Sequence, residues 1–389
     1  MPVGRTVFAE LMSYVSPRKF RTCVDRYHGD DKTSRFTCWD QFLCMAFAQL
    51  TYRESLRDIE TCLRALQPKL YRMGIGTRIA RSTLADANET RDWRIYADLA
   101  QGLIHTARTL YANDPLAIEL GNTVYALDAT IIDLCLSVFP WARYSSRLAG
   151  VKVHAQVDLR GLIPSVVDIT SVKCGEVAFL DDLVLEPGAF YIMDRAYIDF
   201  ARLHRFTEEA AFFVTRWKRN LCVQRRVSRP VDYTTGLISD QSVVCARAHA
   251  RRDDPEPLRR VHYLDPDTQK RLVFMTNNFA LPALTIAHLY KARWQVELFF
   301  KWIKQHLRIK AFYGTSENAV KTQIWIALSV YVLVAIVRKR LGLDVSLYTL
   351  LQVLSLTLFE KTPISTAVFD TGSQFEDIPD RNQLQLFNL

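Results

Sequence analysis

The stretch TVYALDATIIDL (residues 123–134) is apolar and rich in β-branched side chains, and one acid, Asp128, directly follows its VYAL run. This composition is typical of a strand. A second apolar run, FYIM (190–193), is also followed directly by an acid, Asp194. One acid in such a position is commonly a turn or cap residue. Two of them predict carboxylates fixed at the edge of a sheet, where metal ions and a substrate have room to bind.

Further strand patterns surround these two runs. VKVHAQVDL and IPSVVDITSV flank a turn at Gly161, and AFFVTRWK follows the helix-like ARLHRFTEEA (201–210). Strands in series followed by strand–helix–strand favour a mixed α/β sheet.

The rest of the chain has a different character on either side of this sheet. Helical spacing dominates the first quarter, with Ser55 as the expected cap of SLRDIETCLRAL and Ser82 as the expected cap of a long helix that continues to TARTLY. Two long helical patterns follow at 283–309 and 317–340. We predict a helical N-terminal domain (1–75), a helical connector (76–118), a mixed α/β core in two parts (119–215 and 283–345), a β-rich insertion (216–282), and a C-terminal helix and tail (346–389).

Composition narrows the class of partner. The chain has 389 residues and a formal charge of +9, with 50 Lys and Arg against 41 Asp and Glu, which favours a polyanion such as nucleic acid. Its eight cysteines form no CxxC pair, so we expect reduced thiols in the cytoplasm. The longest apolar run, IWIALSVYVLVAIV (324–337), is shorter than the roughly 20 residues of a membrane span and predicts a buried helix. No nucleotide-binding fingerprint is evident, so no nucleotide cofactor and no membrane are expected.

The segment YKARWQVELFFKWIKQHLRIK (290–310) places one acid, Glu297, among apolar and basic residues. On a continuous helix, Tyr290, Arg293, Glu297, Lys301 and Lys304 would share an arc of about 80°. A solvated charged face has the same spacing. Two strand-end aspartates with one acid on a later helix are, however, the arrangement expected of a two-metal phosphoryl-transfer site.

A second basic cluster, TRWKRNLCVQRRVSR (215–229), directly follows a predicted core strand. Arg216, Lys218 and Arg219 are placed to contact a DNA backbone, and Trp217 could stack on an unpaired base. The alternative is a surface loop whose tryptophan packs into the insertion.

The spacing Tyr290-x2-Arg293-x3-Glu297-x6-Lys304 resembles the Tyr-Arg-Glu-Lys signature of the IS4-family DDE transposases. LDATIIDLCLSVFPWA and YIMDRAYIDF resemble the two aspartate regions of that family, and WDQFLCMAFAQLTYRESLRDI resembles the helical domain that precedes its catalytic domain. The chain departs from the family in two places: RAY follows Asp194 where many relatives have Arg-Gly-Tyr, and Gly175-Glu176 stand where relatives often have His-Asp.

The resemblance implies an RNase H-like catalytic core with a β-rich insertion, preceded by an all-α DNA-binding domain at 1–75. It implies that Asp128, Asp194 and Glu297 bind two Mg²⁺ or Mn²⁺ ions, while Tyr290, Arg293, Lys301 and Lys304 hold DNA phosphates. The expected activity is cut-and-paste transposition: binding of terminal inverted repeats, metal-dependent cleavage, and joining of 3′ ends to target DNA. The expected assembly is a homodimer on double-stranded DNA in the bacterial cytoplasm, on the nucleoid when bound. Two alternatives stay open, a DNA-binding derivative without activity and an RNase H-like nuclease without strand transfer.

Overall fold

The computed structural model describes residues 5–31, 33, 35–76, 78–116, 120–246, 252–253, 256–306 and 312–372. The chain divides into two compact units. The helical unit comprises Met1–Leu103, Ala311–Gly314 and Asn318–Leu389, and the sheet unit comprises Ile104–Lys310 and Thr315–Glu317.

The described helices and strands follow one another in simple order. The helices are α1 (Val7–Met12), α2 (Pro17–Arg26), α3 (Cys38–Leu50), α4 (Leu56–Ala65), α5 (Gln67–Leu70), α6 (Arg81–Thr90), α7 (Arg94–Tyr111), α8 (Phe200–Glu208), α9 (Ala283–Lys291), α10 (Trp294–His306), α11 (Glu317–Arg340), α12 (Leu347–Thr357) and α13 (Ile364–Gly372). The strands are β1 (Val124–Leu134), β2 (Ala149–Asp158), β3 (Ile163–Ser171), β4 (Phe190–Met193), β5 (Phe212–Arg216), β6 (Val223–Arg229), β7 (Leu237–Cys245), β8 (Leu258–Leu264) and β9 (Arg271–Thr276).

The core of the helical unit is built around α3, which is buried along its whole length. Thr37 and Asp40 form a reciprocal capping box at its first turn, which satisfies backbone N–H groups that the helix leaves free. Gln41 is fully buried and donates a hydrogen bond to Asn88 (2.8 Å), and it accepts one from Tyr96 (2.8 Å). A buried amide with both partners satisfied costs little free energy, so it fixes how these helices pack.

The two predicted helix caps have different outcomes. Ser55 is the N-cap of α4 and accepts from the backbone N–H of Asp58, as predicted. The prediction for Ser82 is wrong, because α6 begins one residue earlier, at Arg81, and ends at Thr90. The helix predicted to run on to Tyr111 is interrupted before Arg94, where Asp92 accepts from the backbone N–H of Arg94 (2.9 Å) and thereby starts a new helix.

The predicted buried helix near the C-terminus is α11. Among the helices that the structure describes, it alone is long and apolar enough to cross a membrane by length and composition. However, 94% of its most apolar window is buried within the protein, and a core helix of this kind passes the same test.

The sheet unit is built on one sheet of nine strands in the order β3-β2-β1-β4-β5-β9-β8-β7-β6. β1, β2 and β3 are antiparallel neighbours, and the turn between β2 and β3 uses Gly161 with φ +73°. β4 and β5 run parallel to β1. This order and polarity are those of an RNase H-like core, as predicted. The strands between Val223 and Thr276 continue the same sheet through antiparallel pairing of β9 with β5, and β6 forms its far edge.

The two faces of the sheet have separate coverings. Leu127, Met193 and Met275 belong to an apolar cluster with residues of α8, so we call this side the α8 face. Side chains alternate along a strand, so Phe274 lies on the opposite side. There the centroid of its ring is 5.0 Å from the ring centroid of Tyr290 of α9. We call that side the α9 face.

The prediction of one continuous helix over 283–309 is wrong. Helix α9 ends at Lys291, Arg293 donates its backbone N–H to the carbonyl of Tyr290 in a turn, and α10 begins at Trp294. Tyr290 therefore belongs to a different helix from Glu297. Residues 307–309 of the prediction lie outside the described residues.

Candidate active site

The register of two parallel strands brings Asp128 and Asp194 together. Leu127 pairs with Met193 across β1 and β4, and an aspartate follows each of them. Asp194 directly follows β4, as predicted. The prediction that Asp128 ends a strand is wrong, because β1 continues to Leu134 through its pairing with β2. Leu127 and Met193 point to the α8 face, so alternation directs both carboxylates to the other side. Asp128 accepts from the backbone N–H of Ala129 (2.9 Å), and Asp194 accepts from that of Ala196 (3.0 Å).

Glu297 lies across from Asp128 on α10, and Arg293 bridges the two acids. One guanidinium nitrogen of Arg293, Nη1, is 3.0 Å from Oδ2 of Asp128, and the other, Nη2, is 2.6 Å from Oε1 of Glu297. The side chain of Arg293 is 17% exposed and that of Glu297 is 49% exposed. The site thus contains its own counter-ion between two of the three predicted metal ligands.

A cleft of about 400 Å³ opens at this point. Asp128 and Glu297 line it together with the exposed cations Lys301 and Lys304, and Phe300 forms part of its wall. Four of the residues predicted for the site therefore share one solvent-accessible space.

The electrostatics of the cleft follow from its burial. Burial raises the pKa of Asp128 above its ordinary value, and the negative charges of Glu297 and Asp194 raise it further. The guanidinium of Arg293 and the N–H of Ala129 act in the opposite direction. A carboxylate held in such surroundings gains strongly from an added cation.

Tyr290, on α9, interacts electrostatically with Arg293, Asp194 and Arg216. It is 8% exposed, and the guanidinium of Arg293 lies over its ring at 5.9 Å from the centroid. Burial raises the pKa of Tyr290, with Asp194 adding to the rise and Arg293 and Arg216 opposing it. Its buried ring offers little surface to DNA, so the predicted phosphate contact of Tyr290 stays a prediction.

Tyr197 is a residue that the sequence reasoning did not assign to the site. It is 1% exposed, and its hydroxyl has no hydrogen-bond partner among the described residues. Burial raises its pKa, and the charges of Asp128, Glu176 and Asp194 raise it further. The signal was available in RAY after Asp194, which matches the tyrosine of the family's Arg-Gly-Tyr.

Lys218 and Arg219 lie outside the cleft, beyond the end of β5. Trp217 donates its backbone N–H to Val273 (2.8 Å), and its ring packs against the apolar cluster of the α8 face with the guanidinium of Arg260 above it at 5.0 Å. These contacts support the alternative in which Trp217 packs into the insertion over the one in which it stacks on a base.

The donor atoms at the cleft fit a divalent metal ion, although their present arrangement is not a complete coordination site. Carboxylate oxygens are the ligands that Mg²⁺ and Mn²⁺ prefer. The described residues contain no group of three or more His, Cys, Asp or Glu placed to hold one ion. Arg293 accounts for this, because Asp128 and Glu297 both direct an oxygen to its guanidinium.

An RNase H-like sheet with one acid within β1 and another directly after β4 defines a class of phosphoryl-transfer enzymes that act on nucleic acids. Residues 119–333 match the family described as the transposase DDE domain, and residues 3–76 match a domain of unknown function, DUF4372. The chain belongs to the DDE transposase family. It is a DNA transposase, and that family generally uses divalent metal ions.

Individual relatives agree with this assignment. The chain is 32% identical to the protein named as transposase y4zB of Sinorhizobium fredii, over 72% of this chain and 78% of that protein. It is 24% identical to the protein named as a transposase for the insertion sequence element IS4SA of Synechocystis sp., over 72% of this chain and 77% of that protein. Among solved structures, the piggyBac transposase synaptic complex with hairpin DNA aligns with 97% of this chain and 82% of that chain, at 11% identity and a TM-score of 0.44.

Proposed function

We propose that this transposase moves an insertion sequence by cut-and-paste transposition. It would bind the terminal inverted repeats of the element, cleave them by metal-assisted hydrolysis and join the freed 3′ ends to target DNA. The observation that carries the proposal is the pairing of Leu127 with Met193, because it sets Asp128 beside Asp194 on the side of the sheet that faces the Glu297 helix.

Asp128, Asp194 and Glu297 would hold two Mg²⁺ or Mn²⁺ ions. Two such ions lower the pKa of an attacking water or hydroxyl and stabilise the leaving oxygen of a phosphodiester.

The cations of the cleft would position the DNA strand. Lys301 and Lys304 are exposed and line the cleft beside Glu297, so their ammonium groups can reach phosphates next to the scissile bond. Arg293 would exchange its carboxylate partners for a phosphate oxygen when cations neutralise Asp128 and Glu297. Arg216, at the end of β5 and close enough to Tyr290 to affect its pKa, would contact the backbone further along.

The working complex would be a homodimer that holds two element ends and a double-stranded target. Joining both ends of one element to one target requires two active sites in a single assembly, which a two-fold symmetric dimer provides. Its place of action would be the bacterial cytoplasm, on the nucleoid when bound to DNA.

The test uses the full chain, Mg²⁺, and linear DNA that carries the ends of the element. We expect Asp128→Asn and Glu297→Gln each to lower end cleavage by about 10³-fold or more while DNA binding in a mobility-shift assay persists. Asp133→Asn is the matched control, because Asp133 is exposed on the same strand and undergoes the same chemical change. Equal cleavage by the control and by Asp128→Asn would contradict the assignment of Asp128.

The same assay separates the two alternative functions. A wild-type chain that binds the ends but cleaves none of them, with either metal, would be a DNA-binding derivative. A wild-type chain that cleaves the ends but joins none of them to a supercoiled target plasmid would be a nuclease.

A further inference from the structure

A group of cations lies on the α8 face of the insertion strands. Arg260 pairs with Met275 and Leu264 pairs with Arg271 across β8 and β9. Since paired residues share a face and side chains alternate, Arg260, His262 and Arg271 all lie on the side that carries Met275.

These charges are not balanced by acids. Arg260 and Arg271 form no ion pair with a described residue, and the Nε of Arg260 is buried without a hydrogen-bond partner in that part of the chain. His262 is partly buried, and burial lowers its pKa. The positive charges of Arg260 and Arg271 lower this pKa further. Arg260 and Arg271 therefore lie on either side of His262 on one face, with no ion-pair partner for either arginine among the described residues.

The neighbouring residue on the same strand shows the opposite situation. Arg259 points to the α9 face, is 3% exposed, and makes a two-point ion pair with Asp240 at 2.9 and 2.8 Å. It also donates to the carbonyl of Leu281 (2.6 Å). Arg259 is a structural arginine with its donors satisfied, and Arg260 is not.

One more cation lies on this side, at the edge of the sheet. The exposed Arg225 pairs with Val243, which belongs to the apolar cluster of the α8 face. We call these residues together the basic face: Arg225, Arg260, His262 and Arg271.

Protection of a sheet edge explains only part of this surface. Charged side chains on an edge strand prevent pairing with other chains, which accounts for Arg225 on β6. β8 and β9 are interior strands, so Arg260 and Arg271 have no edge to protect. Like charges held together repel one another, and a polyanion that binds across them relieves the repulsion.

We propose that the basic face binds the phosphate backbone of duplex DNA, as a contact separate from the cleavage cleft. β8 stands four strand positions from β1, about 19 Å at the usual strand spacing, and the basic face points away from the α9 face. The proposal rests on the proposed function for the nature of its ligand. It adds a second surface by which this enzyme holds DNA.

The experiment measures binding of the full chain to a 20-bp duplex of arbitrary sequence by fluorescence anisotropy, without divalent ions and over a range of KCl concentrations. Each phosphate contact contributes about 0.9 to the slope of log K against log salt. We expect Arg271→Gln to make this slope shallower by about 1, and Arg225→Gln/Arg271→Gln by about 2. The matched control, Lys173→Gln, removes one charge from an exposed lysine just beyond β3, at the opposite edge of the sheet, and should leave the slope as in the wild type.

An unchanged slope in Arg271→Gln, or an equal change in Lys173→Gln, would overturn the proposal. If Arg271→Gln changed the sedimentation coefficient of the chain and left the slope unchanged, the face would be a contact with a second copy of the chain. That result would also overturn the proposal. All three positions are exposed, so an unaltered unfolding temperature is the check on folding. Because the assay needs no cleavage, wild-type cleavage with an unchanged slope refutes the basic face alone, and a changed slope without wild-type cleavage refutes the proposed function alone.

Discussion

The two charged regions of the sheet unit balance their charge in opposite ways. Next to β1 and β4, Arg293 binds Asp128 and Glu297, so the acids carry a counter-ion of their own. On β8 and β9, Arg260 and Arg271 both lie on the side of His262, and neither forms an ion pair with a described residue. The acid region can therefore fold with its charges neutralised and exchange one cation for another. The basic face has nothing to exchange and depends on solvent or a polyanion.

The largest expected effect comes from removal of Arg293, the counter-ion of Asp128 and Glu297. In Arg293→Ala, Asp128 and Glu297 lose their shared cation, and a broken buried pair costs about 3–5 kcal/mol. Since Glu297 is half exposed and screened by water, we expect a loss of about 2–3 kcal/mol, measured by urea denaturation with EDTA present. Added Mn²⁺ should restore more stability to the variant than to the wild type, because the wild type must first give up its own ion pair.

The control for this variant lies in the other half of the sheet. Arg229 binds Asp240 at 3.5 Å, but Asp240 keeps Arg259 as a second partner. Arg229→Ala should cost less than about 1 kcal/mol. Similar losses in the two variants, or no response of Arg293→Ala to Mn²⁺, would mean that Arg293 is not the counter-ion of the site.

The same contrast explains what the sequence could and could not predict. The apolar runs VYAL and FYIM are buried strand segments, and each is followed by an acid, so the sheet and both aspartates could be predicted from composition and position. The length of β1 beyond Asp128 could not, because the strand continues there with half-buried and exposed residues. β6 was missed, because an exposed edge strand that reads VQRRVSR has no apolar face to set a period of two.

The remaining misses depend on register, which a sequence does not display. The apolar spacing continues across Lys291 to Trp294, so the break between α9 and α10 was not visible. The bridge from Arg293 to Asp128 spans 165 residues, and the shared face of Arg260 and Arg271 appears only when β8 is paired with β9. Contacts of this kind become visible only in the folded chain.

The buried histidine beside the acid region gives a prediction of about 2 kcal/mol. His154 is 1% exposed, bonds to Thr170 at 3.0 Å, and has its pKa lowered by burial to about 4. Below pH 6.5 the unfolded chain binds a proton that the folded chain does not, so stability falls with pH until about pH 4. We expect about 2 kcal/mol less stability at pH 5 than at pH 7.5 from this group. His154→Gln should remove that part of the pH dependence in urea denaturation, and an identical pH profile in the variant would contradict the assignment.

The smallest expected effect is a change in the pKa of His262 on the basic face. The pKa of His262 is lowered by burial and by Arg260 and Arg271, so removal of either positive charge should raise it. We expect Arg271→Gln to raise the pKa of His262, and saturating duplex DNA to raise it in the wild type, because phosphates offset the arginines. The measurement is the NMR titration of the imidazole Cε1–H signals. His154 is the internal control: it is buried on β2, and its pKa should not respond to Arg271→Gln or to DNA. A pKa of His262 that DNA lowers or leaves unchanged would mean that no phosphate approaches the basic face.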